Sequence, residues 1–169
     1  TSADWTYWQS SNTNTFANLV HNFSNGWQGK ISYNQLKNTA DTQLLYVYGT
    51  LDKTTGEGLS PWPYKSSGFS TQRSWDIQLK GDYTVFGRTH DFVVGALTSD
   101  QDAYTETFAQ TSAFIPVGNF YEWTGATYPQ PEFSADGAAQ VDLTTKQDGY
   151  YAATRFLITD DLKLIAGGR

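Results

Sequence analysis

The feature that most constrains this chain is period-two alternation arranged in pairs about short turns. Successive side chains of a strand point to opposite faces, so residues paired across a hairpin share a face. Around Ser24-Asn25-Gly26 this rule matches Phe23 with Trp27, His21 with Gly29, Leu19 with Ile31 and Ala17 with Tyr33. The opposite face pairs Asn22 with Gln28, Val20 with Lys30 and Asn18 with Ser32. Around Phe86-Gly87-Arg88-Thr89, Val85 matches His90, Tyr83 matches Phe92, Gly81 matches Val94 and Leu79 matches Ala96; Gln78, Lys80, Asp82 and Asp91 take the other side. Around Thr159-Asp160-Asp161, Ile158 matches Leu162 and Phe156 matches Leu164. Arg155, Lys163 and Arg169 lie opposite, together with the apolar Leu157 and Ile165. Helical spacing of apolar residues is nowhere sustained over a dozen residues.

The expectation is an all-β, antiparallel chain of about six strands. The first run is Ala17 to Phe23, with an extension back toward Asn12. The second is Trp27 to Gln35. A polar stretch and the apolar run Leu44 to Leu51 then lead into a loop reaching about Thr71. The third run is Ser74 to Val85 and the fourth His90 to Ser99. A long loop covers about 100–146, the fifth run is Gln147 to Ile158, and the sixth begins at Leu162. Short and long connections therefore alternate. Aromatics on the apolar face gather near the strand ends, with Phe23, Trp27, Tyr83 and Phe92 by the short turns and Tyr33 and Trp75 toward the long loops. That pattern fits two aromatic girdles around a lipid-facing band about 25 Å tall, as in an outer-membrane barrel. A soluble β-sandwich shares the alternation, but a loop as long as 100–146 counts against a compact soluble domain.

Composition narrows the function. Charged residues are 17% and aromatics 16% of the 169 residues, which excludes a disordered chain. A net charge of −6 without a basic patch excludes a nucleic-acid partner. There is no cysteine and there are only two histidines, His21 and His90, so neither a disulfide framework nor a zinc centre is expected. No apolar run reaches the roughly 18 residues of a transmembrane helix, which leaves transmembrane strands open. Methionine is absent as well, and the chain reads as an internal piece of a longer protein.

Several segments together resemble the barrel of TonB-dependent outer-membrane siderophore receptors, in the branch for ferric pyoverdine, coprogen and hydroxamates. They are Asp4-Trp5-Thr6-Tyr7-Trp8 with 16–27, Arg73-Ser74-Trp75-Asp76 with 79–83, His90-Asp91-Phe92-Val93-Val94-Gly95, and 149–156 followed by 159–169. Their order and spacing, rather than any single motif, carry the resemblance. It implies a barrel of about 22 strands around an N-terminal plug. Residues 1–169 would be a partial barrel domain with long extracellular loops and without the plug. The implied function is uptake of a ferric siderophore across the outer membrane of a Gram-negative bacterium, energised through TonB. The implied partners are the siderophore, outer-membrane lipid, the receptor's own plug and TonB. Iron would arrive as part of the ligand, and no resident cofactor or enzymatic activity is implied.

Recognition of a large, polar, partly planar chelate suits aromatic side chains, which offer area at low conformational cost. The candidate ligand-binding residues are Trp5 and Trp8 before the first strand, Trp62 and Tyr64 in Ser60-Pro61-Trp62-Pro63-Tyr64, and Tyr121 and Trp123 in Asn119-Phe120-Tyr121-Glu122-Trp123. Pro61 and Pro63 would stiffen the presentation of Trp62 and Tyr64. Lys30, Lys80, Arg155, Lys163 and Arg169 would point into the lumen. Asp100-Gln101-Asp102 with Glu106 lacks the glycine and spacing of a calcium loop and reads as a plain acidic loop. Glu122 and Glu132 lack strand support as a glycosidase pair. Two rivals to the receptor remain: a passive porin-like barrel, and a soluble carbohydrate-binding β-module stacking sugars on Trp62 and Trp123.

Overall fold

The computed structural model describes residues 2–169. Six strands follow one another: β1 (Tyr7–Asn22), β2 (Gln28–Gly49), β3 (Leu59–Val85), β4 (Arg88–Gln110), β5 (Phe133–Leu157) and β6 (Lys163–Gly168). A single 3-10 turn, Phe120–Glu122, interrupts the β4–β5 connection. The strands form one antiparallel sheet in the order β1-β2-β3-β4-β5-β6, so every neighbour in sequence is a neighbour in the sheet. In β5–β6, Phe156 pairs with Leu164, Arg155 with Ile165 and Leu157 with Lys163.

The strands are much longer than their alternation shows. β1 starts at Tyr7 and takes in Trp8. β2 absorbs the polar stretch and ends at Gly49. β3 starts at Leu59 rather than Ser74, so Trp62 and Tyr64 are strand residues and not loop residues. β4 reaches Gln110 and β5 begins at Phe133, which reduces the expected 100–146 loop to 111–132. Asp100, Gln101, Asp102 and Glu106 accordingly lie in β4, and the acidic loop is a strand. The physical reason is that a strand with polar residues on both faces still completes its backbone ladder while losing the period-two signal.

The chain divides into two compact units, and each strand from β1 to β5 contributes to both. One unit comprises Thr13–Lys37, Thr71–Asp102 and Thr144–Arg169. It contains the three short connections, 23–27, 86–87 and 158–162. The two central turn residues Phe86 and Gly87 have φ of +52° and +71°. Two successive positive values are the type I′ geometry whose twist matches that of a hairpin.

The two faces of this unit differ as the hairpin pairing predicts. On one face Leu19, Ile31, Ile77 and Leu79 line an apolar groove. At one end of that band Tyr33 packs on Trp75 with ring centroids 4.6 Å apart. At the other, Tyr83 contacts His90 at 5.3 Å, Phe92 at 6.1 Å and Phe156 at 6.3 Å. Trp27 packs edge-on against Phe92 at 5.2 Å, and its indole N–H donates to the Asp82 carbonyl. It lies flat over Gly81, where a Cβ would come within 2.5 Å of Trp27 Cδ1. On the other face of the sheet, Gly95 seats the ring of Tyr151 in the same manner.

The opposite face is polar and bonded across strands. Gln78 donates to the Tyr151 hydroxyl, which donates to Asp76 at 3.1 Å. Arg155 forms an ion pair with Asp91. Lys80, Asp82, Asp91, Arg155 and Ile165 border an open recess of about 590 Å³. Ile165 sits on this face because it pairs with Arg155. Ile165, one of the two apolar residues that broke the sequence pattern, is therefore a wall residue of the recess.

No hydrophobic side chain of this unit is buried among the described residues. The three that are, Ala3, Val117 and Tyr128, all belong to the other unit. Leu19 is 67% exposed and Ile77 56% exposed. A sheet with one continuous apolar face and no layer upon it requires a covering medium, because soluble domains bury such a face against a second layer. Among the described residues, no helix is long and apolar enough to cross a membrane.

Candidate functional site

The second unit comprises the segment ending at Asn12, Asn38–Ser70 and Ala103–Leu143. It carries both long connections, 50–58 and 111–132. Its β2–β3 ladder is pinned by a buried hydrogen bond between the Thr42 and Ser66 hydroxyls at 2.7 Å. Farther along, the same pairing opposes the end of β2 to the start of β3 and gathers four aromatic residues on one face. Tyr46 lies 5.6 Å from Trp62 and 6.1 Å from Tyr64, and Trp62 lies 6.4 Å from Tyr64. Tyr46, Tyr48 and Trp62 line an open recess of about 530 Å³. Pro61 and Pro63 are buried, so the backbone beneath Trp62 is held while its ring stays 58% exposed.

Trp62 and Tyr64 were legible as candidates, whereas Tyr46 and Tyr48 were not. The signal for the second pair was present in the alternation Leu45-Tyr46-Val47-Tyr48, which places both tyrosines on one side of β2. The recess offers aromatic faces with phenol groups at their rims. Such a surface holds a planar or apolar group by contact area and its polar edge by hydrogen bonds.

The other four candidates are placed differently. The Trp5 indole N–H donates to the Tyr128 carbonyl at 2.9 Å, which ties the start of the chain to the 111–132 loop. Asp4 N–H donates to the Gly125 carbonyl at the same junction. Tyr128 is 3% exposed, and burial raises its phenol pKa above the ordinary value. Trp8 is the second residue of β1 and is 69% exposed. Tyr121 donates its hydroxyl to the Lys53 carbonyl at 2.8 Å and so fastens loop 111–132 to loop 50–58. Phe120 N–H reinforces that junction by donating to the Gly56 carbonyl. Asn119 caps the 3-10 turn by accepting from Tyr121 N–H. Trp123 packs on Phe120 at 6.1 Å, and its indole N–H is enclosed without a hydrogen-bond acceptor. Loop 50–58 is shaped by Asp52, whose carboxylate accepts from the backbone N–H of Thr54 and of Thr55. Those bonds hold its pKa below the ordinary carboxylate value.

Among the described residues, no group of three His, Cys, Asp or Glu side chains stands close enough to hold a metal ion. Glu132 donates its backbone N–H to Ser112, at the end of the loop remote in sequence from Glu122.

No protein-family model matches the chain. Curated relatives do. The chain is 32% identical over 174 residues to the ferric-pyoverdine BN7/BN8 receptor of Pseudomonas putida, which covers 98% of this chain and 21% of that receptor. It is 30% identical over 178 residues to the ferripyoverdine receptor of Pseudomonas aeruginosa, covering 99% of this chain and 20% of that one. The crystal structure of the ferripyoverdine receptor of the outer membrane of Pseudomonas aeruginosa, bound to ferripyoverdine, superposes with a TM-score of 0.88 at 29% identity. That match covers 98% of this chain and 22% of the receptor. A complex of the same type of receptor with pyocin S2 superposes at 0.85, also at 29% identity, over 98% of this chain and 21% of the other. The chain thus spans about a fifth of the length of the relatives it matches. Over nearly all of its own length, it resembles one stretch of the ferric-pyoverdine receptors, the TonB-dependent siderophore receptors of the Pseudomonas outer membrane.

Proposed function

We propose that the chain is part of the barrel wall of an outer-membrane receptor that takes up a ferric siderophore. Similarity in sequence and fold to receptors of ferric pyoverdine supports this reading. The observation that carries it is the sheet of the short-turn unit, with an apolar face that no further layer of that unit covers among the described residues and a polar, cross-bonded face behind it. Lipid suits the first face. The lumen, with the receptor's own plug, suits the second, where Lys80, Asp82, Asp91 and Arg155 offer charge to a folded partner. Residues 1–169 then contribute six strands to a closed wall of about 22. The loops 50–58 and 111–132 face the cell exterior, and the connections 23–27, 86–87 and 158–162 face the periplasm.

In this reading the ligand is a ferric siderophore, and the aromatic recess of Tyr46, Tyr48 and Trp62, with Tyr64 packed beside it, is its contact in this chain. Trp8 is available from β1. Trp5 and Tyr121 hold the loops that frame the ligand, because their polar tips are already bonded within the protein. Trp123 presents an enclosed indole N–H with an unfilled donor role. Iron enters as part of the ligand, and the protein forms and breaks no covalent bond. Release inward draws on TonB acting through the plug. A soluble sugar-binding module is disfavoured by the absence of any layer over the apolar sheet face.

The test uses the full-length receptor in detergent or nanodiscs, titrated with ferric pyoverdines and ferric hydroxamates. One of them should bind tightly. Trp62→Ala and Tyr46→Ala should each weaken that binding by about 2 kcal/mol, about 30-fold, with the barrel still folded. Failure of every ferric siderophore to bind the intact receptor overturns the function. Unchanged affinity in both variants removes the recess from the site.

A further inference from the structure

Gly56 is buried although it lies within the 50–58 connection, and its φ is +76°. Its N–H donates to the Asp52 carbonyl at 2.8 Å and closes a single turn, while its own carbonyl accepts from Phe120 N–H at 2.7 Å. A Cβ at this position would overlap Asn119 Oδ1 and come within 2.7 Å of Tyr121 Cδ2. Neither group is free to yield. Asn119 Oδ1 accepts from Tyr121 N–H at 3.0 Å, and the Tyr121 hydroxyl donates to the Lys53 carbonyl at 2.8 Å. Glycine is therefore required twice, by its backbone conformation and by the close approach of 119–121.

Connection 111–132 is tied down at a second place. Asp4 N–H donates to the Gly125 carbonyl at 2.8 Å, and the Trp5 indole N–H donates to the Tyr128 carbonyl at 2.9 Å. One connection thus bridges the β2–β3 loop to the segment before β1. Ala3, Val117 and Tyr128, the buried hydrophobic residues among those described, all belong to these segments. Every bond in the arrangement joins protein to protein, so it needs no ligand to form. The aromatic recess adjoins it: Tyr48 precedes and Trp62 follows the 50–58 connection, and Trp123 follows Tyr121 by two residues.

We infer that Gly56 is a positioning residue for siderophore binding. It receives 119–121 and so holds the two long connections and the segment before β1 as one frame, assembled before the ligand arrives. The inference rests on the receptor reading above. Gly56 touches no ligand in it and acts through the fraction of receptors whose frame is assembled. A ligand that needs the assembled frame associates at a rate scaled by that fraction, and once bound it leaves from the same frame. The signature of Gly56 is slower association with unaltered dissociation. A contact residue such as Trp62 acts chiefly on dissociation.

The experiment compares the full-length receptor in nanodiscs with its Gly56→Ala and Gly118→Ala variants. Gly118 also has φ of +76°, but a Cβ there meets nothing within 4 Å, so its variant carries the backbone strain without the overlap. Stopped-flow mixing with ferric pyoverdines and ferric hydroxamates gives both rate constants. Hydrogen exchange of the ligand-free receptor reads the frame. Gly56→Ala should slow association about tenfold, leave dissociation within about twofold, and speed exchange in 53–57 and 119–121. Gly118→Ala should change association by less than about threefold. Should Gly56→Ala not fold, Tyr121→Phe removes only the bond to the Lys53 carbonyl and should show the same signature at about two- to threefold. Equal effects at 56 and 118, a loss carried by dissociation, or faster exchange with unaltered association each overturn the positioning role. Exchange at 119–121 that is already unprotected in the unsubstituted receptor overturns the preassembled frame. If the unsubstituted receptor binds no ferric siderophore, the receptor reading fails and takes this inference with it, a result distinct from binding that the Gly56 variant leaves unchanged.

Discussion

Placing an arginine at Leu79 tests which face of the sheet meets lipid. Leu79 lies in β3 and shares an apolar groove with Leu19, Ile31 and Ile77. Trp75, packed at a tilt against Tyr33, marks one end of the band, and Val85 ends the strand at the other. A strand rising about 3.3 Å per residue and tilted about 40° covers about 25 Å of membrane between those two residues. Leu79 then lies about 10 Å from the level of Trp75 and about 15 Å from that of Val85, close to the midplane. A lipid-facing arginine at that depth costs about 2–4 kcal/mol, roughly a 30- to 900-fold shift in the folding equilibrium. In water the same substitution at a half-exposed strand position changes stability by about 0.5 kcal/mol or less. The control is Val93→Arg, which borders the polar recess beside Asp91 and should be tolerated. The assay is reversible urea unfolding of the full-length receptor in phosphatidylcholine vesicles, with heat-resistant mobility on gels as the readout of the folded barrel. A harmless Leu79→Arg beside a damaging Val93→Arg would show that the faces are inverted. If both are harmless, the sheet does not lie in a membrane.

Two further perturbations follow from the same unit. Gly81→Ala drives a methyl group into the Trp27 ring, which is also held by its bond to Asp82, and should destabilise by about 1–3 kcal/mol in the same unfolding assay; Trp27→Leu in the same chain should relieve most of that loss, and an additive double variant would refute the seat. The hydrogen bond and charge of Arg88 hold the Asp160 carboxyl below its ordinary value, so their contribution is present above the ordinary carboxylate range and is lost as pH falls through the lowered value. Arg88→Gln should therefore lower Tm slightly at neutral pH, with the gap closing in acid; a gap constant down to strongly acidic pH contradicts the pairing.

Hairpin pairing could be read from the sequence wherever one face met an apolar environment. Phe23 with Trp27 and Phe156 with Leu164 pair as expected, whereas the two-residue turn 86–87 opposes Tyr83 to His90 rather than to Phe92. The face assignment survives because an apolar medium punishes a one-residue slip but not a two-residue one. The continuations were hidden for the complementary reason. In 36–43 and 103–110 neither face must be apolar, and the ladder is held by backbone bonds that side-chain periodicity does not encode. Of the recess, Trp62 and Tyr64 were visible as a proline-flanked pair. Tyr46 and Tyr48 were hidden in an apolar run assigned to a connection, so the pairing that brings them to Trp62 had no strand to rest on. The bonds of Trp5 and Tyr121 to carbonyls were beyond reach, since a carbonyl leaves no mark in the sequence.

A wall with no packed interior also evolves under unusual rules. In a globular core each side chain is fitted to several neighbours, so one replacement obliges others and change is slow. Leu19, Ile31 and Ile77 have no second layer to match and need only remain oily, so their identities are free to drift independently. Selection is concentrated instead where backbone meets ring, at Gly81 beneath Trp27 and Gly95 beneath Tyr151. In a saturation scan of the full-length receptor, the oily positions should accept nearly every aliphatic residue, while the two glycines should accept almost nothing.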